Sequence, residues 1–275
     1  VARWLARERR AASVVLVGRG RGGGDRPGGG GGDAELASLL SGSGALITVV
    51  QADVGARADA ELWLAAAGGG GGTSGGGGET AGPTPPTTLS HAGGALADGT
   101  LGAQRPSHLR AALAGKMGGA RLLSGESGDG CPQPLSAAVL FSSVAGALGS
   151  AGQSSYAAAN AALDSAAASA RRRGLPCAAV QWGAWSEGGM AAADAQTARR
   201  IARLGMGMVS PEQGLRALAR VLGALAQAPS SSPLLCGGPG RGAVALAVPF
   251  LPARELVKSS LVAAQPKALF SDVLL

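Results

Sequence analysis

Apolar runs alternate with breaker-rich segments along most of the chain. VARWLARERR (1–10) reads as a helix with Val1, Trp4 and Leu5 on one side, and SVVLV (13–17) as a buried strand. Asp33 can cap a short helix through AELASLL. ALITVVQADV (45–54) is a second strand with a polar end, and 59–66 reads as helical. TTLSHAGGAL resembles a strand running into a tight turn. A helix is predicted over 106–124, with Pro106 in its first turn. AAVLFSS (137–143) is a strand. SYAAANAALDSAAASARRRG (155–174) is an alanine-rich helix with basic residues in its last turn and Gly174 after its end. PCAAVQWGAW (176–185) is another strand, and Pro211 with Glu212 opens a helix through 224. Repeated strand–helix alternation predicts a doubly wound, Rossmann-like α/β fold with a parallel sheet covered on both faces.

Composition adds two long interruptions to that pattern. Of the 275 residues 48 are glycine, concentrated in 20–32 and 67–88, which read as low-complexity insertions within one domain over 1–255. Residues 256–275 read as a linker toward a following domain. Aromatic residues are only 3% of the chain, so a sequence that is 46% hydrophobic must build its core largely from small side chains.

The net charge of +7 favours anionic partners. A chain with one tyrosine and three phenylalanines lacks stacking platforms for single strands, and its arginines are scattered or sit at helix ends, which argues against nucleic acid. Cys131, Cys177 and Cys236 show neither metal-ligand spacing nor a disulfide framework. No metal site is expected, and the setting expected is intracellular and cytoplasmic, with an organelle left open. No signal-peptide pattern opens the chain, and no apolar run reaches the ~20 residues of a membrane span.

The chemistry gathers around FSSVAGALGSAGQSSYAAAN (141–160), which holds the single tyrosine. In a parallel sheet, ligands sit beyond the carboxyl ends of the strands. Ser142 and Ser143 end a predicted strand, Tyr156 falls near the start of the next helix, and Asn160 is one turn along the same face. Hydride reduction of a carbonyl builds negative charge on oxygen. A serine hydroxyl can hold that oxygen and a tyrosine can donate the proton. A phenol with an ordinary pKa of ~10 is a reluctant acid, so a cation beside it must stabilise the phenolate. Singly, each residue has an ordinary role: serines cap turns, a tyrosine packs, a lysine is solvated. The joint spacings favour chemistry. For Trp182 and Trp185, core packing and pocket lining both stand.

The thirteen-residue interval from Ser143 to Tyr156 resembles that of short-chain dehydrogenases/reductases. Most of that superfamily carries lysine four residues after the tyrosine, where this chain has Asn160. The ketoreductase domains of type I polyketide synthases and fatty-acid synthases exchange the two positions. They take the lysine from the preceding helix, 27 residues before the serine, and that position here is Lys116. Flanking segments are similar too. ARWLARERRAASVVLVGRG resembles the family's first helix and second strand, QADV its adenine-side segment, SHAGGALADGTL its fourth-strand turn, QWGAWSEGGMA its NWGPW–GMA segment, and MVSPEQGLRAL its last helix.

The resemblance implies catalytic roles for Ser143, Tyr156, Lys116 and Asn160. It implies NADPH contacts at Arg19, Asp53, Val54, Ala92, Gly93, Trp182 and Gly183. Substrate or stereochemical roles fall to Asp98, Leu148, Gln153, Trp185 and Met190. The family's LDD motif reads Leu96, Ala97, Asp98 here, and its A-type tryptophan position is Leu148, which implies a B-type alcohol although Ala97, Ala151 and Ser155 depart from the usual pattern. Gly18, Gly20 and Gly23 match G-x-G-x-x-G, but the glycines run on to Gly32 with no prompt helix, so the match follows from composition. The resemblance places Arg19, with Arg21, against the adenosine 2′-phosphate instead; a basic flexible loop is the plain alternative. It also puts the family's first strand and TGGxGGLG turn before Val1. The chain is therefore expected to be an N-terminally truncated fragment that holds NADPH weakly and is unstable alone.

The function implied is NADPH-dependent reduction of a β-ketoacyl thioester carried on an acyl carrier protein, beside neighbouring synthase domains. A non-catalytic structural module of a megasynthase and a free-standing reductase of the same superfamily are the alternatives.

Overall fold

The computed structural model describes residues 1–8, 13–18, 46–54, 56, 59, 88–121, 137–187, 199, 201, 202, 205–227 and 244–247. Among the described residues six strands are present: β1 (Ser13–Gly18), β2 (Leu46–Gln51), β3 (Thr88–His91), β4 (Ala137–Ser143), β5 (Cys177–Trp182) and β6 (Val244–Ala247). The helices are α1 (Ala2–Arg7), α2 (Pro106–Arg121), α3 (Val144–Leu148), α4 (Ser154–Arg172) and α5 (Pro211–Gln227), with a 3-10 turn at Leu101–Ala103. Every strand pairing is parallel. β1 pairs with β2 from Ser13↔Leu46 to Gly18↔Gln51, and the remaining strands form a sheet in the order β3-β4-β5-β6. The predicted α/β class holds.

The two-residue period of β4 and β5 sorts side chains into two layers. Ala138, Leu140, Cys177 and Ala179 face Leu163, Ala167 and Ala170 of α4 and Ala120 of α2. Ala137, Val139, Ala178, Val180 and Trp182 face Trp4 of α1 and Leu218 and Leu225 of α5. The alanines that give α4 its helix propensity also let it lie close on the sheet. Burial of Cys177 lifts its thiol to about 12, so it packs as a small apolar group.

Helix ends follow the sequence closely. Gly174 takes φ +85°, and the N–H groups of Gly174 and Leu175 donate to the carbonyls of Arg171 and Ala170, a Schellman closure. At α5, Ser210 Oγ accepts from Gln213 N at 3.2 Å while Gln213 Oε1 accepts from Ser210 N at 2.9 Å, a capping box.

Three elements end earlier than their patterns suggest. α1 stops at Arg7, β2 at Gln51 and β5 at Trp182. β6 was not anticipated; its only signal is the short apolar run VALA between glycine- and proline-rich stretches. The helix predicted after Asp33, and that predicted over 59–66 apart from residue 59, lie outside the described residues, as do most of the two glycine-rich insertions.

Candidate active site

The carboxyl end of β4 runs straight into the site. Ser143 caps α3, its Oγ accepting from Ala145 N at 3.2 Å, and the hydroxyl proton is left to donate. A loop through Gly149 and Gly152, both at positive φ, returns the chain to α4. Tyr156 lies in the first turn of α4 and Asn160 one turn on. Asn160 is fully buried; its Nδ2 donates to Tyr156 O at 2.8 Å, and its Oδ1 has no partner among the described residues.

Lys116 arrives from α2. It is 4% exposed, its Nζ donates to Phe141 O of β4 at 2.6 Å, and that nitrogen stands 5.8 Å from the centroid of the Tyr156 ring. Burial pulls the ammonium down to about 8, against the raising pull of the Asp164 carboxylate. The structure thus brings Lys116, Tyr156 and Asn160 together, with Ser143 at the adjoining strand end.

Beneath them is a polar group that sequence reasoning did not single out. Ser142 and Gln181 are cross-strand partners on the α4 side of the sheet. Ser142 Oγ donates to Asn160 O at 3.3 Å, and Gln181 Nε2 donates to Asp164 Oδ2 at 2.7 Å. Burial raises the Asp164 carboxyl, opposed by Ser142, Gln181 and Lys116. A signal was present: Tyr156, Asn160 and Asp164 recur every four residues on a helix otherwise rich in alanine.

The stereochemical candidates form a seam. Gln153 Nε2 donates to Asp98 Oδ2 at 3.0 Å and its Oε1 accepts from Ser150 Oγ, while Gly99 N donates to Gly152 O at 2.8 Å. Gln104, also unanticipated, donates to the carbonyls of Ala97 and Gly99 and accepts from Ser155 Oγ. Leu148 ends α3, half-buried.

Trp182 and Trp185 pack as a pair, ring centroids 5.1 Å apart, on the α5 face of the sheet and so away from α4. Trp182 is buried in the core and Trp185, half-buried, packs against it; Gly183 follows β5 as a buried residue. Asp53 and Val54 follow β2, with Asp53 N donating to Asp59 Oδ2 at 2.6 Å; Ala92 and Gly93 follow β3. Arg19, Arg21 and Met190 lie outside the described residues.

Residues 1–187 match the family model described as "KR domain". The chain is 39% identical over 224 residues to a polyketide synthase of Streptomyces halstedii, GfsB, covering 82% of this chain and 4% of that protein. It is 38% identical over 218 residues to the spectinabilin polyketide synthase system protein NorB of Streptomyces orinoci, covering 78% of this chain and 9% of that one. Among solved structures, one described as A-type ketoreductases from a modular polyketide synthase superposes with a TM-score of 0.74 at 32% identity, covering 99% of this chain and 49% of its own. A C2-type ketoreductase from a modular polyketide synthase superposes with a TM-score of 0.68 at 26% identity, covering 99% and 50%. The chain therefore spans a small part of these synthases and about half of these solved chains.

Proposed function

Because the chain belongs to the KR-domain family, we propose that it reduces the β-ketone of an acyl chain, carried on an acyl carrier protein of a polyketide synthase, to the β-hydroxyacyl form with NADPH. The observation that carries this reading is the buried Lys116 ammonium beside the chain's only tyrosine.

The strand ends suit a dinucleotide. Its usual place is the carboxyl edge of parallel strands, and here that edge offers Asp53 and Val54, Ala92 and Gly93, and Gly183. Gly93 keeps the β3 end bare: a Cβ there would lie 2.7 Å from the His91 ring and 2.8 Å from Gly115 O. These residues would hold the cofactor, joined by Arg19. NADPH supplies the hydride that the carbonyl carbon receives.

The chain's own residues do the rest. Ser143 donates its hydroxyl proton in a hydrogen bond to the ketone oxygen. Tyr156 donates its proton to that oxygen as charge develops. Lys116 stabilises the phenolate left behind, and its near-absence from solvent strengthens that interaction. The unpartnered Asn160 Oδ1 is the acceptor available to order the relay that reprotonates Tyr156. The positive net charge suits an acidic carrier protein. Trp182 and Trp185 contribute packing around the floor of the site.

The test is NADPH consumption at 340 nm with a β-ketoacyl N-acetylcysteamine thioester, with the product identified by mass spectrometry. Formation of the β-hydroxy thioester is expected. NADPH binding without that product would sink the catalytic reading and leave a non-catalytic module.

A further inference from the structure

When tyrosine and lysine share one helix four residues apart, helical pitch alone sets their separation. Here they stand on different helices, α4 and α2, so something must hold α2 in place along its axis. Lys116 is gripped at three points. Its ammonium donates to Phe141 O at 2.6 Å. Its stem lies on Gly94, where an added Cβ would come within 3.1 Å of Cε. Its backbone carbonyl is bonded to the buried ring of His91, Nε2 to O at 2.8 Å.

The third contact is built for. A Cβ on Gly119 would lie 2.6 Å from His91 Nδ1, and one on Gly93 would lie 2.7 Å from His91 Cε1, so the ring fits only because both positions are glycine. Gly115 lets the 93–95 turn rest on α2, a Cβ there meeting Ala95 N and Gly94 C at 3.2 Å. Gly115 and Gly119 inside α2 lower its helix propensity by up to ~1 kcal/mol each. That loss makes sense where close approach is required. Burial holds His91 below the usual imidazole range, with the Lys116 charge acting in the same direction, so the ring is neutral and its Nε2–H is the donor.

We propose that His91 is a positioning residue for Lys116: by bonding the lysine's own carbonyl it sets the axial position of α2 and so the reach of the ammonium to Tyr156. The ring is buried and acts through the lysine. This inference rests on the catalytic reading above.

The experiment compares His91→Leu, His91→Gln and Gly119→Ala, each checked for folding by circular dichroism and thermal melting. His91→Leu keeps volume without the donor and is expected to lose about 10²-fold in kcat, with KM changed less than about threefold, as a misplacement of about 1 Å would produce. His91→Gln, which restores an N–H, is expected to recover at least about tenfold of that loss. In a Lys116→Met background His91→Leu is expected to add nothing; an undiminished further loss there would overturn the proposal. Should His91→Leu fail to fold, Gly119→Ala decides, since the added methyl displaces the ring: wild-type kcat in folded Gly119→Ala overturns the idea. A readout free of turnover separates this inference from the catalytic reading itself. Acetic anhydride labelling of Lys116, read by mass spectrometry, is expected to rise at least about tenfold in His91→Leu or Gly119→Ala as the stem loses its seat. Unchanged labelling overturns the positioning role even if no ketone is reduced. Increased labelling in a protein without ketoreductase activity supports it and refutes only the catalytic reading.

Discussion

The Lys116 ammonium stands 5.8 Å from the centre of the Tyr156 ring while donating to Phe141 O at 2.6 Å. One cation is thereby tied to the strand that delivers Ser143 and faces the helix that carries the phenol. Replacing Lys116 by Met keeps the stem and removes the charge. Ketone reduction is expected to fall about 10²- to 10⁴-fold in kcat, since proton donation then leaves a phenolate without its cation. Steady-state kinetics measure this, and a fall under threefold would remove Lys116 from the mechanism.

Tyr156→Phe deletes the proton donor and little else. A drop in turnover of about 10²- to 10⁴-fold is expected, with an unchanged melting temperature and NADPH affinity. Near-normal turnover would show that another group supplies the proton.

The alkaline limb of the rate profile is expected close to pH 8, where Lys116 loses its charge. Stability should respond in the opposite direction. An amine whose folded value lies at about 8, below its ordinary 10.5, binds more protons unfolded than folded between those values. Its penalty on the fold is full below pH 8 and relieved as pH rises toward 10.5. Asp164→Asn removes the charge that supports Lys116, so the limb should move to lower pH. Rate–pH profiles of the two proteins check the limb and its shift, which a limb that stays put in Asp164→Asn contradicts; thermal melts between pH 8 and 10.5 check the stability trend.

Gly214 of α5 sits under the Trp185 indole, where an added Cβ would come within 2.1 Å of Cη2. Gly214→Ala should therefore cost about 1–3 kcal/mol by overpacking, despite alanine's better helix propensity. Urea denaturation would reveal the opposite sign if the indole moved aside freely.

Product stereochemistry is expected to be B-type, on the pattern of Leu96, Ala97 and Asp98 with leucine at position 148. The bond from Gln153 to Asp98 ties that loop to the entry of α4. Chiral chromatography of the reduced thioester decides; a pure A-type alcohol rules the assignment out.

Much of this was legible from residue order because it is local. Tyr156, Asn160 and Asp164 share a face through helical period. Ala138, Leu140 and Ser142 share one through strand period. Gly174 ends α4 because the closing turn needs positive φ. The serine–tyrosine and lysine spacings, with the similar segments around them, identified the family that the comparisons then showed.

Other features depended on which elements meet, and no local period encodes that. The parity of β5 turns Trp182 away from α4 and into the core against Phe141, and Trp185, half-buried, packs on it beside α5. His91 sits beside Gly93 and Gly119, and no local pattern in the sequence marks either as making room for its ring. Its bond to Lys116 O exists because the β3 turn and α2 approach closely enough to exclude a Cβ at Gly93, Gly115 and Gly119. The sequence by itself determined which side chains share an element and its face. Tertiary packing decided the distance between Lys116 and Tyr156, because separation across two helices is set by the volume of what lies between them.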